Sequence, residues 1–292
     1  MNSDIILRGT ANNDSFRFSA VISTKTVQKM RDLHDLSPIA TILMGRMLSA
    51  VAMLSWELKH PDAEITLRVD SKGDLSGGVA ICSSKGYLRG YASNPKLFYE
   101  SSAENFMLGK ALGKGTISLL RNDVNTKTYT GTCELVSGEI GEDLAYYFLQ
   151  SEQIPSAVNL GILLDKDAII RAAGGFIIQQ LPFADTEIAN KIYQNIQNTP
   201  NISDLMDMGL SMQDILSRFV FKDIQWQINE TKEISFKCSC TRERFVSALM
   251  LLGKQELQSM QDGIKPVCNY CNTEYHFNHD DMQTLIKQIE DK

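Results

Sequence analysis

Phe236-Lys-Cys-Ser-Cys-Thr-Arg-Glu-Arg-Phe245, followed further on by Val267-Cys-Asn-Tyr-Cys-Asn272, carries four of the six cysteines of this 292-residue chain. The pattern is Cys-x-Cys, the 27 residues 241–267, then Cys-x-x-Cys, so Cys238, Cys240, Cys268 and Cys271 share the last fifth of the sequence. Four thiolates are the soft, tetrahedral ligand set that Zn2+ prefers, and the same thiols can leave a metal as disulfides. In an extended chain, residues two apart place their Cα atoms about 6.6 Å apart. That is near the upper limit for a disulfide, so a Cys238–Cys240 bridge needs local bending and is readily reversed. The spacing by itself allows a structural staple or a redox switch.

Working outward, Thr241 is a good N-cap and Arg242 to Leu252 is helical in composition, closing at Gly253. Cys240 then lies beside a helix N-terminus, whose partial positive charge favours thiolate. Lys237, Arg242, Arg244 and Lys265 surround the cysteines and offset the two excess negative charges of a zinc tetrathiolate. The second pair forms a tight knuckle, followed by the alternating Tyr275-His-Phe and a last helix from about Asp280 to Ile289. His276 and His279 read as surface or helix-capping residues, because four thiolates already complete a tetrahedral shell. Cys82 and Cys133 stand alone in strand candidates and read as buried structural thiols.

The expected fold is α+β: an N-terminal mixed core with largely antiparallel sheet (1–180), a helical connector (181–231) and a small C-terminal zinc-binding domain (232–292). Strands are expected at Phe16–Ile22, Ile65–Asp70, Gly78–Cys82, Tyr87–Tyr91, Thr116–Leu120, Lys127–Leu135 and, with a glycine break, Ala168–Gln179. Glu142–Ser151 reads as a helix with Leu144, Tyr147 and Phe148 on one face. Ile39 to Trp56 is almost wholly apolar, but Arg46 sits in its middle and Ser37-Pro38 supplies an N-cap and first-turn proline. It reads as a buried core helix and not a membrane span. In the connector, helices are expected over Ala184–Asn198, Ser203–Met208 and Ser211–Val220, then a strand-like bridge over Phe221–Thr231. Met206, Met208 and Met212 cluster there, and methionine-rich surfaces adapt to many partners, so these three are candidate client-binding residues.

A hydrophobic content of 43% with 22% charged residues describes an ordinary globular protein. Net charge −6 and a pI near 5.3 argue against dedicated nucleic-acid binding. Residues 232–292 hold eight basic against nine acidic residues, so the metal unit carries no bulk positive field. Met1-Asn-Ser-Asp-Ile-Ile-Leu-Arg8 lacks the basic and apolar regions of a secretory signal, and clustered cysteines without one indicate metal or redox chemistry in a reducing compartment. No Ser-His-Asp arrangement or phosphate loop is present, so an enzyme is not expected.

Phe236–Phe245 and Cys268-Asn-Tyr-Cys-Asn-Thr-Glu-Tyr-His-Phe-Asn278 closely resemble the two cysteine segments of the 33 kDa heat-shock chaperonin family. So do Gly45-Arg-Met-Leu48, Arg89-Gly-Tyr-Ala-Ser-Asn-Pro95, Asp143 through Ser156, and Ala172-Ala-Gly-Gly-Phe-Ile-Ile-Gln179, in order along the chain. The resemblance implies a redox-regulated holdase of the bacterial cytoplasm, inactive when reduced and zinc-loaded. It implies one zinc ion on Cys238, Cys240, Cys268 and Cys271, and disulfides Cys238–Cys240 and Cys268–Cys271 on oxidation. Unfolding client proteins are the implied partners, with a homodimer as the active form. The rival reading is a zinc-ribbon-like module binding nucleic acid or protein through a permanent structural zinc. A thiol–disulfide oxidoreductase built on Cys268-Asn-Tyr-Cys271 lacks the βαβ context it would need.

Overall fold

A computed structural model describes residues 3–98, 108–122, 128–182 and 184–290. The chain divides into two compact units, Met1–Lys237 and Cys238–Lys292. The first contains β1 (Ile5–Ala11), β2 (Phe16–Ile22), α1 (Thr24–His34), α2 (Pro38–Leu54), β3 (Glu64–Ser71), β4 (Gly77–Ser83), β5 (Tyr87–Ala92), α3 (Leu108–Leu112), β6 (Gly115–Asn122) and β7 (Tyr129–Glu134). It continues with α4 (Gly141–Tyr147), β8 (Ser156–Leu164), β9 (Ile170–Gln180), α5 (Thr186–Gln197), α6 (Ile202–Asp207), α7 (Met212–Ile215), β10 (Trp226–Glu233) and β11 (Ser235–Phe236). The second contains α8 (Arg242–Met250), α9 (Lys254–Ser259) and α10 (His279–Glu290).

Two sheets build the first unit, in the orders β10-β1-β2-β9-β8 and β11-β5-β4-β3-β6-β7. Every pairing is antiparallel except the short β11–β5 contact. Between them runs α2, packed on strands of both sheets. Ser37 caps it, accepting from the Ala40 backbone N–H at 3.4 Å, and Pro38 occupies the first turn. By length and composition Pro38–Glu57 would suffice to cross a membrane, but 83% of its apolar window is buried inside the protein. Arg46, the charge that interrupts the run, turns to the Glu139 carboxylate and the Glu139 carbonyl oxygen. This is a core helix, as the sequence predicts.

The first sheet is covered on both faces. Ile6, Val21, Ala173 and Ile177 face α2, while Leu7, Phe16, Phe18, Phe176 and Ile178 face α5–α7 and the start of β10. Burial on both sides explains why Ala172–Gln179 reads as a continuous apolar run and not as an alternation. The connector helices therefore pack against the sheet. α6 seats close to two glycines: a Cβ on Gly161 would meet Ile202 Cγ2 at 2.5 Å, and one on Gly174 would meet the Met206 sulfur at 3.1 Å. The glycine break expected in β9 is thus a close approach of a helix to the strand, with Gly174 and Gly175 both paired to β2 and β8; the one register shift, at Leu163/Leu164 of β8, lies away from them.

β10 is the edge of this sheet and pairs along its length with β1, with a register shift at Arg8/Gly9. Its residues are mostly exposed and polar. The chain then crosses to the second sheet, where the Ser235 N–H donates to Gly86 O (3.1 Å) and the Lys237 N–H to Leu88 O (2.9 Å). A strap of about a dozen residues, Trp226 to Lys237, so ties one sheet to the other. Of the expected strand Lys127–Leu135, Lys127 lies outside the described residues and Tyr129–Glu134 is strand.

Candidate metal centre

In the second unit a small core of Leu249, Leu257, Phe277, Met282, Leu285 and Ile286 holds α8–α10 together. The cysteines sit at the mouth of two local devices. Thr241 caps α8 by accepting from the Arg244 N–H at 3.3 Å, which fixes Cys240 one residue before the cap. The second device is a knuckle. The Asn272 N–H donates to Cys268 O (2.8 Å), the Cys268 N–H to Thr273 O (2.9 Å) and the Tyr275 N–H to Pro266 O (2.9 Å). Asn272 takes the left-handed conformation at φ 59°, which lets the chain reverse there. Bridges between Val267 and Glu274 and between Ile264 and Phe277 close the hairpin behind it.

These devices bring the four sulfurs to within 4.8 Å of one another, the only such group of metal-ligating residues among those described. Cys238 and Cys268 sulfurs are 3.8 Å apart, and those of Cys240 and Cys271 are 3.3 Å apart. A tetrahedron with metal–sulfur bonds of about 2.3 Å has edges of about 3.8 Å. The cage therefore fits one four-coordinate ion. All six cysteines are free thiols, and Cys268 is the most buried of the four in the cage. Burial pushes the Cys238 and Cys268 thiols up. Burial acts on Cys271 in the same sense, but hydrogen bonds from Thr273, Cys240 and Cys268 outweigh it and bring that thiol down to about 7. Four thiolates in so small a space repel one another, and a central cation converts that repulsion into ligation.

Side-chain hydroxyls reach two of the sulfurs. Tyr275 donates to Cys240 at 3.2 Å, and the Thr273 hydroxyl lies 3.2 Å from Cys271. That bond to Cys240, with desolvation, raises the Tyr275 phenol to about 12. By residue type Tyr275 reads as part of an alternating strand, and Thr273 carries no mark of its own. Their one signal was position, two and four residues after the last cysteine.

The expected basic cluster is engaged more specifically than charge counting suggests. Arg244 donates to the Ser239 hydroxyl between the first two cysteines (2.9 Å). Arg242 stacks on Phe277 and pairs with Asp281 at 2.8 Å. Lys237 belongs to the first unit, over the Tyr87 ring. His276 pairs with Glu274 and His279 bonds Gln261 O, each at 2.8 Å, so both histidines have partners outside the cage. Cys238 and Cys240 follow β11 in irregular chain, not within a strand.

The three connector methionines are not gathered on one surface. Met208 is 74% exposed, Met206 packs against Gly174, and Met212 is 1% exposed within the cluster under the connector. Cys82 is fully buried and burial pushes its thiol up to about 11. Iodoacetamide near pH 8 is therefore expected to leave Cys82 unlabelled in the folded chain. Labelling at the rate of an unfolded peptide thiol would contradict that.

A profile of the Hsp33 protein family matches residues 4–278. The 33 kDa chaperonin of Desulforamulus reducens is 37% identical over 99% of this chain and 99% of its own length. That of Alkaliphilus metalliredigens is 38% identical over 98% of this chain and 100% of its own. The crystal structure of the 33 kDa chaperonin from Thermotoga maritima superposes with a TM-score of 0.92 at 35% identity, covering 100% of both chains. Sequence and architecture agree over nearly the whole chain, and it belongs to the Hsp33 family of 33 kDa chaperonins.

Proposed function

We propose that this chain is a holdase chaperone kept closed by a metal-loaded cysteine cage and opened by oxidation. The observation that carries the reading is the path of the strap. β10 and β11 run from the end of the connector helices to Lys237, the residue before the first cage cysteine. In this reading Cys238, Cys240, Cys268 and Cys271 hold one Zn2+, which supplies the positive charge that keeps four thiolates together. Oxidation pairs Cys238 with Cys240 and Cys268 with Cys271, each pair giving two electrons to the oxidant, and takes away the ligands. The sulfur contacts at 3.8 Å (Cys238–Cys268) and 3.3 Å (Cys240–Cys271) in the folded cage cross between the two motifs. Pairing of sequence neighbours therefore follows opening of the cage, when only short loops remain to be closed.

A unit of about fifty-five residues with so small a core depends on the metal for its folding. Its opening slackens the strap, an exposed edge strand, and frees α5–α7 from the sheet. That uncovers Leu7, Phe16, Phe18, Phe176 and Ile178, with Met206 and Met212 released to join them. A patch of this kind takes up extended apolar segments of non-native polypeptides. The division of labour is then a sheet core (1–180), a connector that covers it (181–231) and a switch (232–292). The action is binding without turnover, in a reducing cytoplasm and with two copies in the active form.

The test is light scattering of a chemically denatured client diluted into buffer with the chaperone, with released zinc counted in the same samples. Suppression of aggregation by the peroxide-treated form, and not by the reduced zinc-loaded form, is expected. Equal behaviour of the two forms with zinc retained would leave a permanent structural metal site.

A further inference from the structure

The cage is surrounded by hydrogen-bond donors of two kinds. Backbone N–H groups meet three of the sulfurs: that of Cys240 faces Cys238, those of Tyr270 and Cys271 face Cys268, and that of Thr273 faces Cys271. Cys240 and Cys271, whose sulfurs lie 3.3 Å apart, are each met by a side-chain hydroxyl at 3.2 Å, from Tyr275 and Thr273. Both hydroxyls are held in place by the hairpin. The Tyr275 backbone is fixed to Pro266, and its ring packs on Phe245 with centroids 4.6 Å apart. The Thr273 carbonyl accepts from the Cys268 N–H. Once the sulfurs are thiolates, the hydroxyl is the donor in each of these two contacts.

A hydrogen bond to a thiolate engages the lone pair that an electrophile must reach, and partners outside the ligand shell tune the ligand itself. We propose that Tyr275 and Thr273 are positioning residues that hold down the reactivity of Cys240 and Cys271, and so set the oxidant level at which the cage opens. One pair member in each motif is restrained in this way, Cys240 in the first and Cys271 in the second. On the redox reading, which this inference extends, the oxidant is hydrogen peroxide. A thiolate attacks one peroxide oxygen, the O–O bond breaks, hydroxide departs and a sulfenic acid forms. The neighbouring thiolate then displaces hydroxide from that sulfur to make the S–S bond. Two electrons pass from the sulfurs to the peroxide, and two protons complete two waters. Either hydroxyl, by lowering electron density on its sulfur, slows whichever of these attacks that sulfur makes.

Alkylation tests the inference without redox chemistry. Zinc-loaded wild type and Tyr275→Phe are treated with iodoacetamide, and the initial labelling rate at each cysteine is read by mass spectrometry. Removing one charge-assisted hydrogen bond is expected to raise the rate at Cys240 about three- to tenfold, with Cys238 and Cys268 little changed. Thr273→Val is expected to do the same at Cys271, and Thr273→Ser to restore the wild-type rate. Unchanged labelling at Cys240 in Tyr275→Phe would overturn the proposal. So would an equal rise at all four cysteines, since that reports a loosened hairpin and not a lost hydrogen bond. A parallel peroxide series, followed by zinc release, is expected to shift to lower peroxide in both hydroxyl-free variants. Loss of peroxide response in the wild type with the alkylation pattern intact would reject the redox reading and keep the tuning role.

Discussion

Cys268→Ser is expected to lower zinc affinity about a hundred- to a thousandfold and to unfold residues 238–290 at ordinary temperature. Cys268 is the most buried cage cysteine and also anchors the knuckle, its carbonyl accepting from Asn272 and its N–H donating to Thr273. Apparent zinc-binding free energies in such small units are about 10–16 kcal/mol at neutral pH. Sharing that among four ligands assigns each about 2.5–4 kcal/mol, which is about two to three decades of affinity. The core that remains is six buried side chains, too little to hold three short helices. Competition with a chromogenic chelator measures the first effect, and backbone hydrogen exchange measures the second. Native protection in 238–290 after loss of the metal would show that the small core suffices alone.

Phe221→Ala is expected to make the chain a chaperone without oxidation. Phe221 is 1% exposed and packs against Phe18 and Trp226, with ring centroids 5.2 and 5.8 Å away. It follows the connector helices directly and precedes the strap, so it fastens the cover to the sheet at its C-terminal end. Truncating a buried phenylalanine costs about 3–5 kcal/mol. The cost falls on the connector because Phe221, Ile215, Leu216 and Val220 share one cluster with the sheet face. The reduced variant should suppress client aggregation while keeping its full zinc content. If its connector loses hydrogen-exchange protection and clients are still not captured, the capturing surface is not the sheet face.

Much of this fold is legible in the residues. β2 is the expected Phe16–Ile22, because Phe16, Phe18 and Ala20 are buried while Arg17 and Ser19 between them stay half-buried with polar partners. The α7 capping box reads directly, with Ser211 and Asp214 bonding each other's backbone. α2 declares itself by Ser37, Pro38 and its apolar length. Elements that escaped reading did so for physical reasons. β1 is buried on both faces and so does not alternate, and its pairing with β10 joins residues more than two hundred apart in sequence. α1 buries only Thr26, Val27, Met30 and His34, too thin a stripe to stand out, and its cap residue Ser23 makes no side-chain bond to the helix. β8 carries Gly161 where α6 presses on it, which disguises a strand as a turn.

The cage shows the same division. Residue type and spacing select the four cysteines, because thiolate softness is a property of the side chain. The hydroxyls of Tyr275 and Thr273 are invisible to such reasoning, since their contact with sulfur depends on how the hairpin folds back from Asn272. The packing partner of the connector is likewise a tertiary fact. Its methionines suggest a surface, yet Met212 is interior and Met206 lies on a glycine.

The central claim is that removing the metal from the cage uncovers a sheet face some way along the chain. Peptide-resolved hydrogen exchange, comparing the reduced zinc-loaded protein with the peroxide-treated protein, tests it most directly. Loss of protection is expected in 238–290 together with α5–α7 and β10, while β2, β9 and α2 keep theirs. Loss confined to 238–290, with the connector as protected as before, would contradict the account.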